Sequence, residues 1–159
     1  MAWSRSRVGE QARGGKLVTG HWHTGFVVED MDRAVRFYTD GLGLSMVRSY
    51  QTDSAPAAQV LGYDKADVKV AVLEMKDGAS LELLQYVEPH TLARQISERH
   101  VIASAHVAFL VDDVAAVLER VVEFGGTRRN DPAETEPGTV LTYAQDPDGN
   151  WLEFAQIAG

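Results

Sequence analysis

The stretch HTGFVVEDMDRAVRFYTDGLG at residues 23–43 returns without a gap as HVAFLVDDVAAVLERVVEFGG at residues 106–126. The offset of 83 pairs His23 with His106, Phe26 with Phe109, Val28 with Val111, Asp30 with Asp113 and Gly43 with Gly126. Self-similarity at a fixed spacing marks a duplicated unit, so the chain reads as two copies of one module.

Each copy opens on a short apolar stretch, HTGFVV or HVAFLV, that reads as a strand. A helix follows. Met31, Ala34, Val35, Tyr38 and Leu42 in the first copy, and Val114, Val117, Leu118, Val121 and Val122 in the second, form the apolar stripe of a helix lying on a core. Asp30 and Asp113 stand where an N-cap carboxylate would accept from free backbone N–H groups, and Gly41, Gly43, Gly125 and Gly126 mark the exits. Three further strands are expected in each copy, at about 44–51, 67–75 and 79–86, then at about 127–130, 138–145 and 150–157. The last two of each set are joined by KDG or DPDG, good hairpin chemistry. The fold expected is α+β: two tandem βαβββ modules, about 20–90 and 103–157, forming one domain over 20–157 with a cupped mixed sheet and helices on its outer face. The longer connections 52–66, helical around Ala57–Leu61, and 87–103 are natural places for a substrate lid.

The repeat continues at the module ends. DGASLELLQ at 77–85 and DGNWLEFAQ at 148–156 each set one glutamate, Glu82 or Glu153, among bulky apolar residues. Strand alternation puts Leu81 and Leu83 on one face and Ser80, Glu82, Leu84 and Tyr86 on the other. Leu152 and Phe154 are opposed in the same way to Trp151, Glu153, Ala155 and Ile157. A carboxylate on a partly apolar face is costly unless something compensates it. Each module also supplies one histidine on its first strand, so His23, Glu82, His106 and Glu153 make a two-imidazole, two-carboxylate set. Such a set suits a borderline or hard divalent ion, Ni, Co, Zn, Mn or Fe, with positions open for water or substrate.

The chain of 159 residues is long enough for one ordinary core, and its 45% hydrophobic and 24% charged composition is that of a globular protein. A net charge of −8 argues against general nucleic-acid binding. No apolar run reaches membrane-spanning length, and the absence of cysteine excludes disulfides and thiolate chemistry and fits a reducing cytoplasm. Residues 1–19 read as a disordered basic tail without the apolar core of a secretory signal.

HTGFVVEDMDRAVRFYTDGLGL, LELLQ, HVAFLVDD and above all DPDGNWLEF resemble the vicinal oxygen chelate superfamily, which includes glyoxalase I, methylmalonyl-CoA epimerase, extradiol dioxygenases and the fosfomycin and bleomycin resistance proteins. The resemblance spans about 20–157. It implies a divalent metal held by His23, Glu82, His106 and Glu153, a homodimer, and chelation of two neighbouring oxygens of a small-molecule substrate. A full His, Glu, His, Glu set is similar to bacterial glyoxalase I and implies a lyase, isomerase or epimerase in which metal-bound Glu153 or Glu82 moves a proton next to a carbonyl. The alternatives within the same fold are a small-molecule-binding resistance protein and a metal-dependent dioxygenase. After LELLQY the chain does not continue in the ELTxNxG of glyoxalase I, so a small α-oxygenated carbonyl compound or an acyl-thioester stands beside a glutathione-linked substrate. Whether the four ligands meet within one chain or across two is open at this point.

Other polar residues carry weaker signals. His21 could support His23 or sit at a strand edge. His90, His100, Arg94 and Arg99 lie on the second long connection, where a solvated face is the ordinary reading and a basic pair could meet an anion. Tyr50, Tyr86, Tyr143 and Trp151 either line the cup or pack it.

Overall fold

A computed structural model of the protein describes residues 17–158. The basic tail expected over residues 1–19 falls, up to residue 16, outside the described residues. In module 1, β1 (Thr24–Val27) leads into α1 (Met31–Arg36), followed by β2 (Ser45–Thr52), α2 (Ala55–Leu61), β3 (Asp67–Glu74) and β4 (Ser80–Glu88). Module 2 repeats the plan with β5 (His106–Leu110), α3 (Val114–Glu123), β6 (Thr127–Arg128), β7 (Ala133–Glu136), β8 (Thr139–Gln145) and β9 (Trp151–Ile157).

Each module builds its own mixed sheet. The orders are β1-β4-β3-β2 and β5-β9-β8-β6, with β7 added against β8. The first strand runs parallel to the last, Gly25 opposite Glu82 and Ala108 opposite Glu153, while the remaining pairs are antiparallel. Helix-facing Ala71, Leu73, Leu81 and Leu83 of one sheet and Ala144, Leu152 and Phe154 of the other share a single core with Met31, Ala34, Val114, Leu118 and Val121. The two sheets therefore pack through their helix sides, and burial of each large aliphatic side chain there contributes about 1.5–3 kcal/mol. Their opposite, cup faces look away from this core.

The helix starts are doubly tied. Asp30 accepts from the Arg33 N–H at 2.9 Å and Asp113 from the Ala116 N–H at 3.0 Å, as expected of N-caps. Gln85 and Gln156, which share the helix side of their strands, accept from the Met31 and Val114 N–H groups at 3.2 and 3.0 Å. The repeated glutamine thus fastens each helix to the last strand of its module.

Two features depart from the expected pattern. After α1 the chain widens into a π-helical turn, Phe37–Gly41, closed by Leu42 N–H donating to the Phe37 carbonyl at 3.1 Å. The wider turn rotates the register, so that both Phe37 and Tyr38 are fully buried. The strand expected at 127–130 is only two residues long, and β7, the exposed Ala133–Glu136, adds an edge that has no apolar alternation to announce it.

DPDGN, residues 146–150, clasps the modules together. The buried Asp146 carboxylate accepts from Tyr38 OH at 2.8 Å, from Asn150 N–H and Nδ2 at 2.8 Å each, and from Asp148 N–H at 2.9 Å. Asp148 in turn accepts from Arg33 Nη2 at 2.6 Å and from Glu29 N–H at 3.1 Å. Close approach is needed beside it, since a Cβ on Gly126 would stand 2.6 Å from the Gln145 carbonyl oxygen.

Burial raises the Asp146 carboxyl above its ordinary value of 3.8, against the lowering effect of its Asn150 and Tyr38 hydrogen bonds. A carboxyl raised by folding contributes stability that is complete below the unfolded value and is lost as pH climbs through the folded one. Denaturant unfolding of the wild type and of Asp146→Asn from pH 3.5 upward is therefore expected to diverge, the wild type alone losing this increment as the pH rises. Parallel curves would remove the assignment.

Candidate metal centre

The last strand of each module brings its glutamate beside the histidine of the first. His23 Nε2 lies 3.3 Å from Glu82 Oε2, and His106 Nε2 lies 3.0 Å from Glu153 Oε2. Both pairs sit on the cup face, where the residues opposite the glutamates, Gly25 and Ala108, are small enough to leave the floor open. The glutamates keep 19% and 16% of their side-chain surface exposed, the histidines 28% and 39%. Each pair is therefore sheltered but reachable.

Each pair makes a direct His–Glu contact, and its donor spacing also fits a metal ion. Two donor atoms about 2.1 Å from one ion and at right angles to each other stand about 3.0 Å apart, close to both observed separations. Each pair alone offers two donors. Among the described residues of one chain, no three His, Asp or Glu side chains gather into a metal-binding group, so the chain presents two half-sets.

The surroundings of the half-sets differ. On module 1, Ala58 of α2 and Ala66 are buried, and Tyr63 meets Tyr86 edge-on at 6.0 Å, so the 52–66 connection lies against the cup face. Burial raises the Tyr86 phenol, with Tyr63 and then Glu82 adding to the effect. On module 2, Tyr143 stands opposite Glu153 across the β8–β9 pair and packs edge-on against His106 at 5.4 Å. Burial raises the Tyr143 phenol and Glu153 raises it further, while Arg99 opposes the shift.

Of the remaining candidates, His21 turns to the Thr24 hydroxyl at 3.3 Å, and Thr24 belongs to the helix side of β1. Tyr50 is exposed, with the Arg48 guanidinium 5.3 Å from its ring centroid. Arg94 reaches the Ser104 hydroxyl at 3.3 Å. Trp151, on the cup face, is buried, with the Arg99 and Arg129 guanidinium groups over its ring at 5.4 and 5.3 Å from its centroid.

Paired βαβββ modules, each presenting a His–Glu pair on the open face of its sheet, define a duplicated, cupped-sheet class of protein. The chain belongs to the Glyoxalase/Bleomycin resistance protein/Dioxygenase superfamily, whose family model matches residues 22–154. It is 28% identical over 136 residues to a lactoylglutathione lyase from Haemophilus influenzae, covering 84% of this chain and 90% of that protein. A probable lactoylglutathione lyase from Vibrio cholerae is also 28% identical, over 137 residues, covering 84% of this chain and 88% of the relative. The fold matches a glyoxalase family protein from Bacillus cereus with a TM-score of 0.84 at 21% identity, over 92% of this chain and all of that one. Glyoxalase I from Zea mays matches with a TM-score of 0.60 at 24% identity, over 86% of this chain and 44% of the maize chain.

Proposed function

We propose that the protein is a divalent-metal-dependent lyase or isomerase of the glyoxalase kind, acting as a homodimer on a small α-oxygenated carbonyl compound. Each of two equivalent sites would take His23 and Glu82 from one subunit and His106 and Glu153 from the other. The observation that carries this reading is the pair of half-sets, each with its donors about 3 Å apart and neither gathering a third His, Asp or Glu donor among the described residues.

The free edges support assembly. β1 and β5 end their sheets, and at matched repeat positions on the cup face Val27 and Leu110 are 45% and 77% exposed. Apolar edge strands of this kind are normally covered, and a twofold dimer covers both at once. The relatives named lactoylglutathione lyase support the choice of an enzyme over a resistance protein that only binds.

When bound, a divalent ion supplies a Lewis acid that draws on two neighbouring substrate oxygens and stabilises the negative charge developing there. The protein does the rest. Glu153 or Glu82 accepts a proton from the carbon next to the carbonyl through its carboxylate oxygen and returns it to the neighbouring position. The 52–66 connection on one side and Tyr143 with Arg99 on the other restrict water at the cup.

Elemental analysis of the purified protein tests the reading. The expected result is one divalent ion per chain, lost in His106→Ala, and a dimer by light scattering; metal content untouched by that substitution, or a monomer at working concentration, would overturn it. Proton exchange in deuterated water then identifies the substrate class, with lactoylglutathione, the compound in the relatives' names, first in a panel of α-oxygenated acids, aldehydes and thioesters.

A further inference from the structure

The half-sets obey the internal repeat, but the wall beside the second one does not. The Arg99 guanidinium lies 3.1 Å from the ring centroid of Tyr143 and 5.4 Å from that of Trp151, and the Arg129 guanidinium lies 5.3 Å from the same indole. Two cations thus converge on one aromatic platform. The arginines engaged in ion pairs among the described residues are Arg33, Arg120 and Arg128, not these two.

The platform adjoins the site. Trp151 stands opposite His106 across the β5–β9 pair and Tyr143 stands opposite Glu153 across the β8–β9 pair. Trp151 is 3% exposed, and its Nε1–H is buried with no acceptor among the described residues. In module 1 the strand positions matching Tyr143 and Trp151 hold Val72, opposite Glu82, and Ser80, while the position matching Arg129 is Arg48, opposite Val72 and lying over Tyr50 instead. Both copies keep the His–Glu pair and an arginine at that strand position; the second sets Tyr143 and Trp151 beneath its arginines. A feature present on one side only serves a part of the substrate that the metal-binding symmetry does not explain.

A guanidinium lying on an aromatic face is held by the ring and keeps its N–H edge free for a planar acceptor. Two guanidinium groups carried by one indole concentrate positive charge, and an anion reaching them offsets it while gaining charge-assisted hydrogen bonds. We propose that Arg99 and Arg129, mounted on Tyr143 and Trp151, form a carboxylate-binding subsite beside the Glu153 half of the centre. The substrate is then an α-oxygenated carbonyl compound that carries a separate carboxylate. That last step rests on the function proposed above, whereas the subsite itself stands without it.

Succinate is the probe, with its diamide, succinamide, as the uncharged control. Both are titrated into the purified dimer while the indole N–H signals of the protein are followed by ¹H–¹⁵N NMR, the Trp151 signal being assigned from Trp151→Phe. Succinate is expected to move the Trp151 signal, and binding is expected to weaken about tenfold in Arg99→Gln and in Arg129→Gln, with a smaller loss in Arg99→Lys, which keeps the charge but not the fork. Arg99 and Arg129 are exposed, so these variants are expected to fold. Glu82→Ala and protein stripped of metal by dialysis against 1,10-phenanthroline, an uncharged chelator, separate the two readings: the succinate response is expected to survive both, whatever becomes of the metal. Equal responses to succinate and succinamide, unchanged affinity in both glutamine variants, or loss of the response in the metal-stripped protein would each overturn the subsite.

Discussion

Replacing Glu153 by glutamine, and separately Glu82 by glutamine, is expected to lower the rate of substrate proton exchange by about 10²–10⁴ in whichever variant has lost the base. Glutamine keeps the length of the side chain and one carbonyl oxygen, so packing on the cup face changes little. What it loses is the ability to accept a proton. The other variant is expected to lose activity mainly through weaker metal binding, because a neutral amide is a poorer partner for a dication than a carboxylate. Metal content measured beside the exchange rate separates the two: the base variant loses far more turnover than its loss of metal accounts for, and the holding variant loses both in step. Retention of the wild-type rate within tenfold in both variants would refute proton transfer by either glutamate.

How these residues could be found at all follows from what a repeat can and cannot carry. His23 and His106 share a position in the 83-residue offset, and the register of the hairpins brings out Glu82 and Glu153. One such residue alone reads as an ordinary polar group, whereas the same pair in both copies does not. The face assignment was equally legible, because strand alternation is strict: Leu81, Leu83, Leu152 and Phe154 are buried on the helix side as their spacing requires.

The parts that stayed illegible depend on partners distant in the chain. Asp146 reads as a turn residue in DPDG, yet it holds Tyr38 from 108 positions away. Phe37 is out of phase with a 3.6-residue stripe and is buried only because the helix widens into a π turn. Gln85 and Gln156 were visible as repeated letters, but their role as helix fasteners needed the distance from strand to helix. Trp151 was legible only as lining or packing the cup; it is buried, with two arginines from separate loops over its ring. Local period and capping reach as far as the module; contacts between modules follow from packing.

The arrangement of the four proposed ligands yields the other large effect, a recovery of activity. Glu82→Ala and Glu153→Ala homodimers are each expected to be inactive, since every site in either lacks one carboxylate. In a heterodimer with shared sites, one site receives both damaged halves, and the other receives His23 and Glu82 from the Glu153→Ala chain together with His106 and Glu153 from the Glu82→Ala chain. One intact site is restored. Random pairing of equal amounts makes about half of the dimers mixed, each with one of its two sites intact, so about a quarter of the wild-type activity is expected to return. Sites formed within one chain give nothing back, because each would still miss a glutamate. Affinity tags of two kinds isolate the mixed dimer, where the expected activity rises to about half of wild type, and bound metal per dimer follows the same count. Persistent inactivity in heterodimers proven by both tags would place all four ligands in one subunit, which would require the modules of a single chain to open from their shared core around Phe37, Tyr38 and Asp146. Breaking that clasp exposes the core and leaves the donors to Asp146 unpaired, at about 1–3 kcal/mol for each group left buried, and this cost is the physical ground for expecting the shared site.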